Sequence, residues 1–415
     1  MQATDFKIRG LFFITTYPSI MYKIFHTADW HLGRRLAGYD RSNEFEAFFL
    51  YIENLIDERK PNALIISGDI FDTGSPANEV VRRYCALLIN LHSKFPDLQI
   101  VIIGGNHDSP SFLNIHAEIL SYFSAIVVGG VEYNNGEIDY QKLIRLITEN
   151  GKPAAIICPV PYLRSGDLRR IGENATIKDF YTEVYARAEA LRGNNQIPII
   201  ATGHFTAAGS SYPDTPIVGG MAGEDADGFA PFDYIALGHI HRSQQCGSRN
   251  NIRYSGSPLT YSFSEVRYSK SITEVTFSGA EISSIEKIEI PQTADLLIIP
   301  QNEGDIFEVQ EACRNLNPEQ ELFLAINIKQ EFRSPETKSR IINEFLVGKK
   351  AKFCSWHIAR PKIEAQSTDT QTVTAREFKN ADPIDIISEL YRIKTARNLD
   401  SKYIQMLKEI IDQPE

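Results

Sequence analysis

Two short patterns place metal-binding side chains two residues apart: Asp29-Trp30-His31 and His239-Ile240-His241. In locally extended backbone, residues i and i+2 point to one face, so each pair can present both donors to one centre. Three further donors, Asp69, Asn106 and His204, each follow a glycine. Glycine lets the backbone bend sharply and brings the next side chain close to an ion. Together these positions offer two carboxylates, one amide oxygen and four imidazoles. One ion with an open position cannot use so many donors. Two divalent ions about 3.5–4 Å apart, with one carboxylate bridging, can. Mixed nitrogen and oxygen donors favour Mn, Fe or Zn over Ca or Mg. Such a pair activates water near neutral pH and clamps phosphate oxygens, which is the chemistry of phosphoester hydrolysis.

His107 directly follows Asn106. Its side chain is expected to point elsewhere, toward a leaving group, where an imidazole can donate a proton. Asp72 and Asp108 are expected just outside the ligands, one of them fixing a histidine tautomer. Taken singly each pattern is weak, because short polar residues at strand ends also serve as turns and caps. The recurrence of such clusters in order along the chain carries the reading. His26, His92, His116 and His357 lack this context and are read as surface or satisfied core histidines, with His26 packing near the site.

The elements that must position these residues follow one grammar. Apolar runs at Lys23–His26, Ala63–Ser67, Ile100–Ile103, Ile199–Thr202 and Tyr234–Leu237 each end in a cluster of Gly, Asp, Asn or His. Continuous apolar runs of this length read as buried strands. Amphipathic stretches such as Glu44–Glu58 and Glu79–His92 separate several of them, which predicts an α/β core with helices packed on sheets. In such folds ligands gather beyond the carboxyl ends of strands, where all the clusters fall. Tyr254–Pro258 reads as a turn after another strand, and strand-like stretches continue to about Ile290. After Pro291, strands at Leu296–Ile299, Leu322–Ile328 and Phe353–Ile358 alternate with helices at Ile306–Leu316 and Glu336–Leu346, a small α+β domain. Ala365–Thr374 is polar and Thr/Gln-rich, hence a linker. Asp382-Pro383 starts a helical tail as N-cap and first-turn proline. Its apolar spacing runs through Ile384, Ile387, Leu390 and Tyr391, then Ile404, Leu407 and Ile411. The expected division is an extension over 1–20, a catalytic domain over 21–290, a second domain over 291–364, a linker over 365–377 and helices over 378–415.

Composition limits the partners. The 415 residues carry 43 Lys+Arg against 53 Asp+Glu, a net charge of −10. An acidic chain is a poor non-specific binder of polyanions, so a nucleic-acid substrate needs a local reversal of charge. Two divalent ions held by two aspartates supply one. Cys85, Cys158, Cys246, Cys313 and Cys354 are scattered with no C-x-x-C, which argues against a disulfide framework or zinc ribbon and for reduced thiols in the cytoplasm. No apolar run is long enough to span a membrane. Lys7 and Arg9 precede a short apolar patch, Leu11–Ile14. That patch is too short and polar for a signal peptide, and Met21 is a plausible alternative start.

The motifs D-x-H, GDIFD, GNHD, GH and GHIH resemble those of the calcineurin-like metallophosphoesterase superfamily. The longer stretches HTADWHLGRRL, ISGDIFDTGSPAN, IGGNHDS, ALGHIHRSQ and YSGSPLTYSFSE are similar to the SbcD family of bacterial nuclease subunits, from about Met21 to the C-terminal helices. The resemblance implies a β-sandwich flanked by helices, a smaller α+β capping domain and C-terminal helices. It implies an exonuclease on double-stranded DNA, 3′→5′ and ATP-regulated, that also cuts single strands and hairpins, serves DNA repair, recombination and replication, and uses manganese. One ion would take Asp29, His31, Asp69 and His241. The other would take Asp69, Asn106, His204 and His239, with Asp69 bridging. His107 matches the family's catalytic histidine, and Asp72 matches the bacterial pattern.

Phosphate contacts are implied near the first loop and the cap, which makes Arg34, Arg35, Arg164, Arg169 and Arg170 the candidates for touching DNA. No GxxxxGK[ST] occurs, so ATP is expected on an SbcC-like coiled-coil ATPase, with the C-terminal helices as a candidate docking surface. The family also implies a homodimer through the catalytic domain, for which the helix near Glu79–His92 is a candidate. A phosphatase or small-molecule phosphodiesterase on the same core is the alternative enzyme reading. A non-catalytic DNA-end scaffold is the alternative of another class, but none of the ligands is missing.

Overall fold

The computed structural model describes residues 21–208 and 224–358, with 400, 403 and 404. The extension over 1–20, the linker over 365–377 and the helices over 378–415 lie outside the described residues, save those last three positions.

The apolar runs form two six-stranded sheets. The first is built from β1 (Met21–Thr27), β2 (Ala63–Ser67), β3 (Gln99–Ile103) and β4 (Ala125–Val128), which run parallel. The second contains β5 (Arg145–Glu149), β6 (Lys152–Cys158), β7 (Ile199–His204), β8 (Tyr234–Gly238), β9 (Gln244–Gln245) and β10 (Ile252–Tyr254). The hairpin β11 (Ser271–Ser278) and β12 (Glu281–Glu289) completes the first sheet, β11 lying antiparallel to β1. Their orders are β12-β11-β1-β2-β3-β4 and β9-β10-β8-β7-β6-β5.

Side chains alternate across each strand, and the alternation sorts the layers. Tyr22, Ile24, Ala63, Ile65 and Val101 meet Ile157, Ile200, Tyr234 and Ala236 between the sheets. Phe25, Leu64, Ile66, Ile100 and Ile102 face outward. There they pack under α1 (Ser42–Arg59), α2 (Asn78–Lys94) and α3 (Pro110–Ser121). After the short α4 (Ser165–Arg169), α5 (Ile177–Arg192) covers the other sheet through Phe180, Tyr181 and Val184. This is a helix-flanked β-sandwich. His26 is a satisfied core histidine in its middle layer. Its ring nitrogens lie 3.0 Å from the Tyr234 hydroxyl and 3.2 Å from the Leu237 carbonyl.

Beyond Pro291, β13 (Asp295–Gly304), β14 (Leu322–Ile328) and β15 (Ala351–Trp356) make a parallel three-stranded sheet with α6 (Ile306–Arg314) and α7 (Pro335–Arg340). The expected helix over 336–346 is only half regular. After Arg340 it widens into a π turn over Ile341–Phe345, which keeps Ile341 and Phe345 buried on the sheet. The expected strand over 353–358 starts and stops two residues earlier. Its parallel pairing with β14 runs from Ala351 to Trp356, because the partner strand, not local hydrophobicity, sets the ends of a parallel pair. Among the described residues no helix is long and apolar enough to cross a membrane.

Candidate metal centre

The carboxyl ends of β1, β2, β3, β7 and β8 meet at one end of the sandwich. Asp29 and His31 leave β1, Asp69 leaves β2, Asn106 follows β3, His204 ends β7, and His239 and His241 follow β8. Four of these residues adopt positive φ without being glycine: Asp29 (54°), His31 (44°), Asp69 (51°) and His239 (94°). Left-handed backbone costs a non-glycine residue of order 1–3 kcal/mol and persists where the surroundings over-determine it. Here the strain lies on the very residues that converge. The close approach also requires glycine at two neighbours. A Cβ on Gly105 would lie 2.1 Å from Asp69 Oδ1, and one on Gly238 would lie 1.9 Å from the Ser67 carbonyl oxygen.

The side chains expected as ligands come together. His204 Nε2 lies 3.0 Å from Asn106 Oδ1 and 3.3 Å from Asp69 Oδ2, and His239 Nδ1 is 3.1 Å from the same Asn106 oxygen. On the other side, His31 Nε2 is 3.2 Å from His241 Nε2 and 3.5 Å from Asp69 Oδ2. Asp69 therefore stands between the two groups. Asp29 belongs with both, since its carboxylate groups with His31 and His241 and also with Asp69 and His204.

The tautomers say what these atoms could hold between them. His204 Nδ1 donates to the Ser67 carbonyl at 2.9 Å, so in the neutral ring Nε2 holds a lone pair facing two acceptor oxygens. His241 Nδ1 donates to Glu265 at 3.0 Å, which turns its Nε2 lone pair toward His31 Nε2. Asp29 Oδ1 accepts from the His239 backbone N–H at 2.8 Å, while its Oδ2 is buried with no hydrogen-bond partner. Buried acceptors facing one another are unfavourable without a positive charge among them. Two carboxylates, an amide oxygen and imidazole nitrogens, so disposed, fit divalent transition-metal ions.

Protonation follows the same logic. Burial pushes the Asp69 carboxyl up, but the adjacent His204 and His31 prevail and hold it well below the usual carboxylate range. Burial pushes His204 down, yet the Asp69 and Asp29 carboxylates lift it to about 9. A proton on His204 thus occupies the place a cation would take. Burial, reinforced by His204, lowers His239 to about 3, so that ring stays neutral and able to ligate.

His107 is exposed at the rim. Its backbone N–H donates to Asp69 Oδ1 at 2.9 Å, and its Nδ1 donates to the Asp72 carbonyl at 3.0 Å. The ring is closer to the expected ligands than its sequence position suggests, 4.8 Å from the His31 centroid, and it groups with His31 and Asp69 among the possible metal donors. The Asp72 carboxylate lies 3.4 Å from His31 Nδ1, within ion-pair range but without hydrogen-bond geometry, and 3.1 Å from Arg34 Nη1.

Asp108 holds no histidine. It accepts from the backbone N–H groups of Ile70, Phe71 and Gly105 at 2.8–3.0 Å, tying the loops that carry Asp69 and Asn106. Burial and the nearby Asp69 charge raise its carboxyl to about 6, against the pull of those three N–H groups. Asp108→Ala would leave three buried donors unsatisfied, each worth about 1–3 kcal/mol. A loss of about 3 kcal/mol or more is expected in urea unfolding; a change below about 1 kcal/mol would contradict this role.

The candidate arginines are not equivalent. Arg34 is committed to Asp72 and lies over the Tyr261 ring, 5.1 Å from its centroid. Arg35 is exposed and donates to the Gly38 carbonyl. Arg164 lies over Tyr162, whose ring packs edge-on against His204, so it flanks the centre. Arg170 packs over Tyr133 and donates to the Gly136 carbonyl, and Arg169 is exposed beside it.

The sequence reading missed Glu265. This buried carboxylate receives His241 Nδ1–H, Lys270 Nζ at 2.6 Å and the Tyr261 N–H at 3.2 Å. Burial pushes it up, but His241 and Lys270 hold it at about 2. Only its place in YSGSPLTYSFSE marked it, because Glu265 and Lys270 are remote in sequence from every ligand pattern. Carboxylates behind ligating histidines are typically worth 10–100-fold in metal affinity. Glu265→Gln should weaken Mn²⁺ binding by about that factor in calorimetric titration, and an unchanged affinity would remove Glu265 from the centre.

Comparison with known proteins agrees with the motifs. Residues 22–243 match the family described as calcineurin-like phosphoesterase. The SbcD subunit of the SbcCD nuclease of Escherichia coli K12 is 35% identical over 320 residues, covering 74% of this chain and 78% of that protein. Its counterpart of the same name from Rhodobacter capsulatus is 32% identical over 294 residues, covering 67% and 71%. That from Bacillus subtilis is 30% identical over 274 residues, covering 64% and 69%.

Proposed function

Because this chain belongs to the calcineurin-like phosphoesterases, and among them to the SbcD nuclease subunits, we propose that it hydrolyses DNA phosphodiester bonds at two manganese ions. The ions are held by Asp29, His31, Asp69 and His241 on one side and Asp69, Asn106, His204 and His239 on the other. The observation that carries this reading is the convergence of two imidazole nitrogens on Asp69: His204 Nε2 and His31 Nε2 approach one of its oxygens. When bound, the ions supply Lewis acidity for water activation and for screening the phosphate.

The chain's own groups do the rest. Asp69 sits between the two clusters and fixes their spacing. Ser67 and Glu265 set the His204 and His241 tautomers. His107, with Nδ1 engaged by the Asp72 carbonyl, can deliver a proton from Nε2 to the departing sugar oxygen. Exposed Arg35, Arg164 and Arg169 supply the local positive charge that the acidic chain otherwise lacks. A second domain over residues 291–364 is proposed as the cap that presents DNA, and the sheet of β13–β15 falls within that stretch.

The substrate is proposed to be double-stranded DNA ends, degraded 3′→5′, with single strands and hairpins cut internally. An SbcC-like coiled-coil ATPase is proposed to gate the activity, as the name of the relatives supports. A homodimer is proposed through the α1–α2 face, where Leu50 and Ile89 are exposed. Duplex DNA labelled at either end tests the substrate: with Mn²⁺ and the ATPase present, stepwise release from 3′ ends is expected. Hydrolysis of a nitrophenyl phosphoester without any cleavage of DNA would favour a small-molecule phosphodiesterase instead.

A further inference from the structure

The loop that carries Glu265 is held from outside the metal centre. Tyr261 packs edge-on against both His31 and His241, with ring centroids 5.4 and 5.5 Å away, and its hydroxyl donates to the Trp30 carbonyl, in the loop between Asp29 and His31. Its neighbour Thr260 is gripped by Arg41, whose Nη1 donates to the Thr260 carbonyl at 2.6 Å. Arg41 is buried, paired through two nitrogens with Glu44. A buried guanidinium with that much of its fork engaged is rigid. Its carbon lies 5.7 Å from the Tyr261 centroid and also 5.4 Å from the centroid of Phe323. Phe323 is fully buried on β14, in the small sheet beyond Pro291, where it packs with Leu296, Ala294, Leu36 and Tyr39.

These contacts form one path from the small sheet to one half of the metal centre. It runs through Phe323, Arg41, Thr260 and Tyr261 to His31 and His241. No ring or hydrogen-bond contact of this path reaches His204, His239 or Asn106. Those residues are held by Ser67, Asp69, the Asp29 carboxylate, the Tyr162 ring and one another.

We propose that the seat of the β13–β15 sheet on Arg41 positions the His31/His241 half of the centre selectively, so that displacing this sheet weakens one metal site and spares the other. Phe323 and Arg41 are positioning residues that touch no ligand. The inference rests on the two-ion reading above and adds an asymmetry to it. It makes occupancy of one ion responsive to the placement of the domain that presents substrate, with Arg41 as the joint.

The test is Mn²⁺ titration of the full chain by calorimetry. Phe323→Leu keeps apolar volume but removes the ring face from Arg41. Arg41→Lys keeps a charge for Glu44 but loses the planar fork that reaches Thr260. Phe353→Leu is the control, because Phe353 is buried in the separate core of the same small domain. In Phe323→Leu and Arg41→Lys, one of the two affinities is expected to fall about tenfold, the lower end of the range for supporting groups, while the other is unchanged. Phe353→Leu is expected to leave both unchanged. If the unaltered chain binds two ions and neither affinity moves in Phe323→Leu, or both fall equally in Phe323→Leu and Phe353→Leu, the inference is overturned while the two-ion reading stands. Fewer than two ions in the unaltered chain would overturn that reading and this one with it.

Discussion

Asp69→Ala is expected to lose both ions together and to lower DNA cleavage by about a thousandfold or more. Asp69 Oδ2 faces His204 Nε2 at 3.3 Å and His31 Nε2 at 3.5 Å, so a single oxygen of this side chain stands between the two halves. Charge stabilisation by bound metal is worth several kcal/mol, and each ~1.4 kcal/mol is tenfold in rate. Elemental analysis of the purified variant, beside a circular-dichroism check of folding, decides the point. One ion retained with unaltered affinity would mean that Asp69 is not shared.

His107→Gln has the second-largest expected effect and a different signature. Both ions should stay, because His107 is not needed to complete either set of ligands. Turnover on DNA should fall by about 10²–10⁴, the usual range for a positioned proton donor. A nitrophenolate leaving group needs no proton, so hydrolysis of a nitrophenyl phosphodiester should suffer much less than cleavage of DNA. Equal losses on the two substrates would show that His107 orients phosphate rather than protonating the leaving oxygen. The Nδ1 bond to the Asp72 carbonyl fixes which nitrogen is available for either task.

The strands and the side chains that converge beyond them were readable because both are local signals. A buried parallel strand is apolar along most of its length, as residues 63–66 and 234–237 are, and its carboxyl end is where the polar cluster begins. Asp29, His31, Asp69, Asn106, His204, His239 and His241 therefore announced themselves by position. Groups that act on the ligands did not. Glu265, Lys270 and Arg41 are charged residues in unremarkable sequence, and only the chain path through the third dimension buries them beside His241 and Tyr261. Asp108 had the opposite problem. The sequence left open whether it or Asp72 would hold a histidine, whereas tight loops after β2 and β3 expose three backbone N–H groups that claim the Asp108 carboxylate first. Helix ends in the small domain were also misplaced, since the π turn at Ile341–Phe345 follows from packing against the sheet rather than from any local breaker.

Anomalous diffraction at the manganese edge, from crystals grown with excess Mn²⁺, tests the central claim most directly. Two peaks about 3.5–4 Å apart are expected, with the Asp69 carboxylate touching both, His31 and His241 on one and His204 with Asn106 on the other. A single peak, or two peaks of which Asp69 touches only one, would contradict the account.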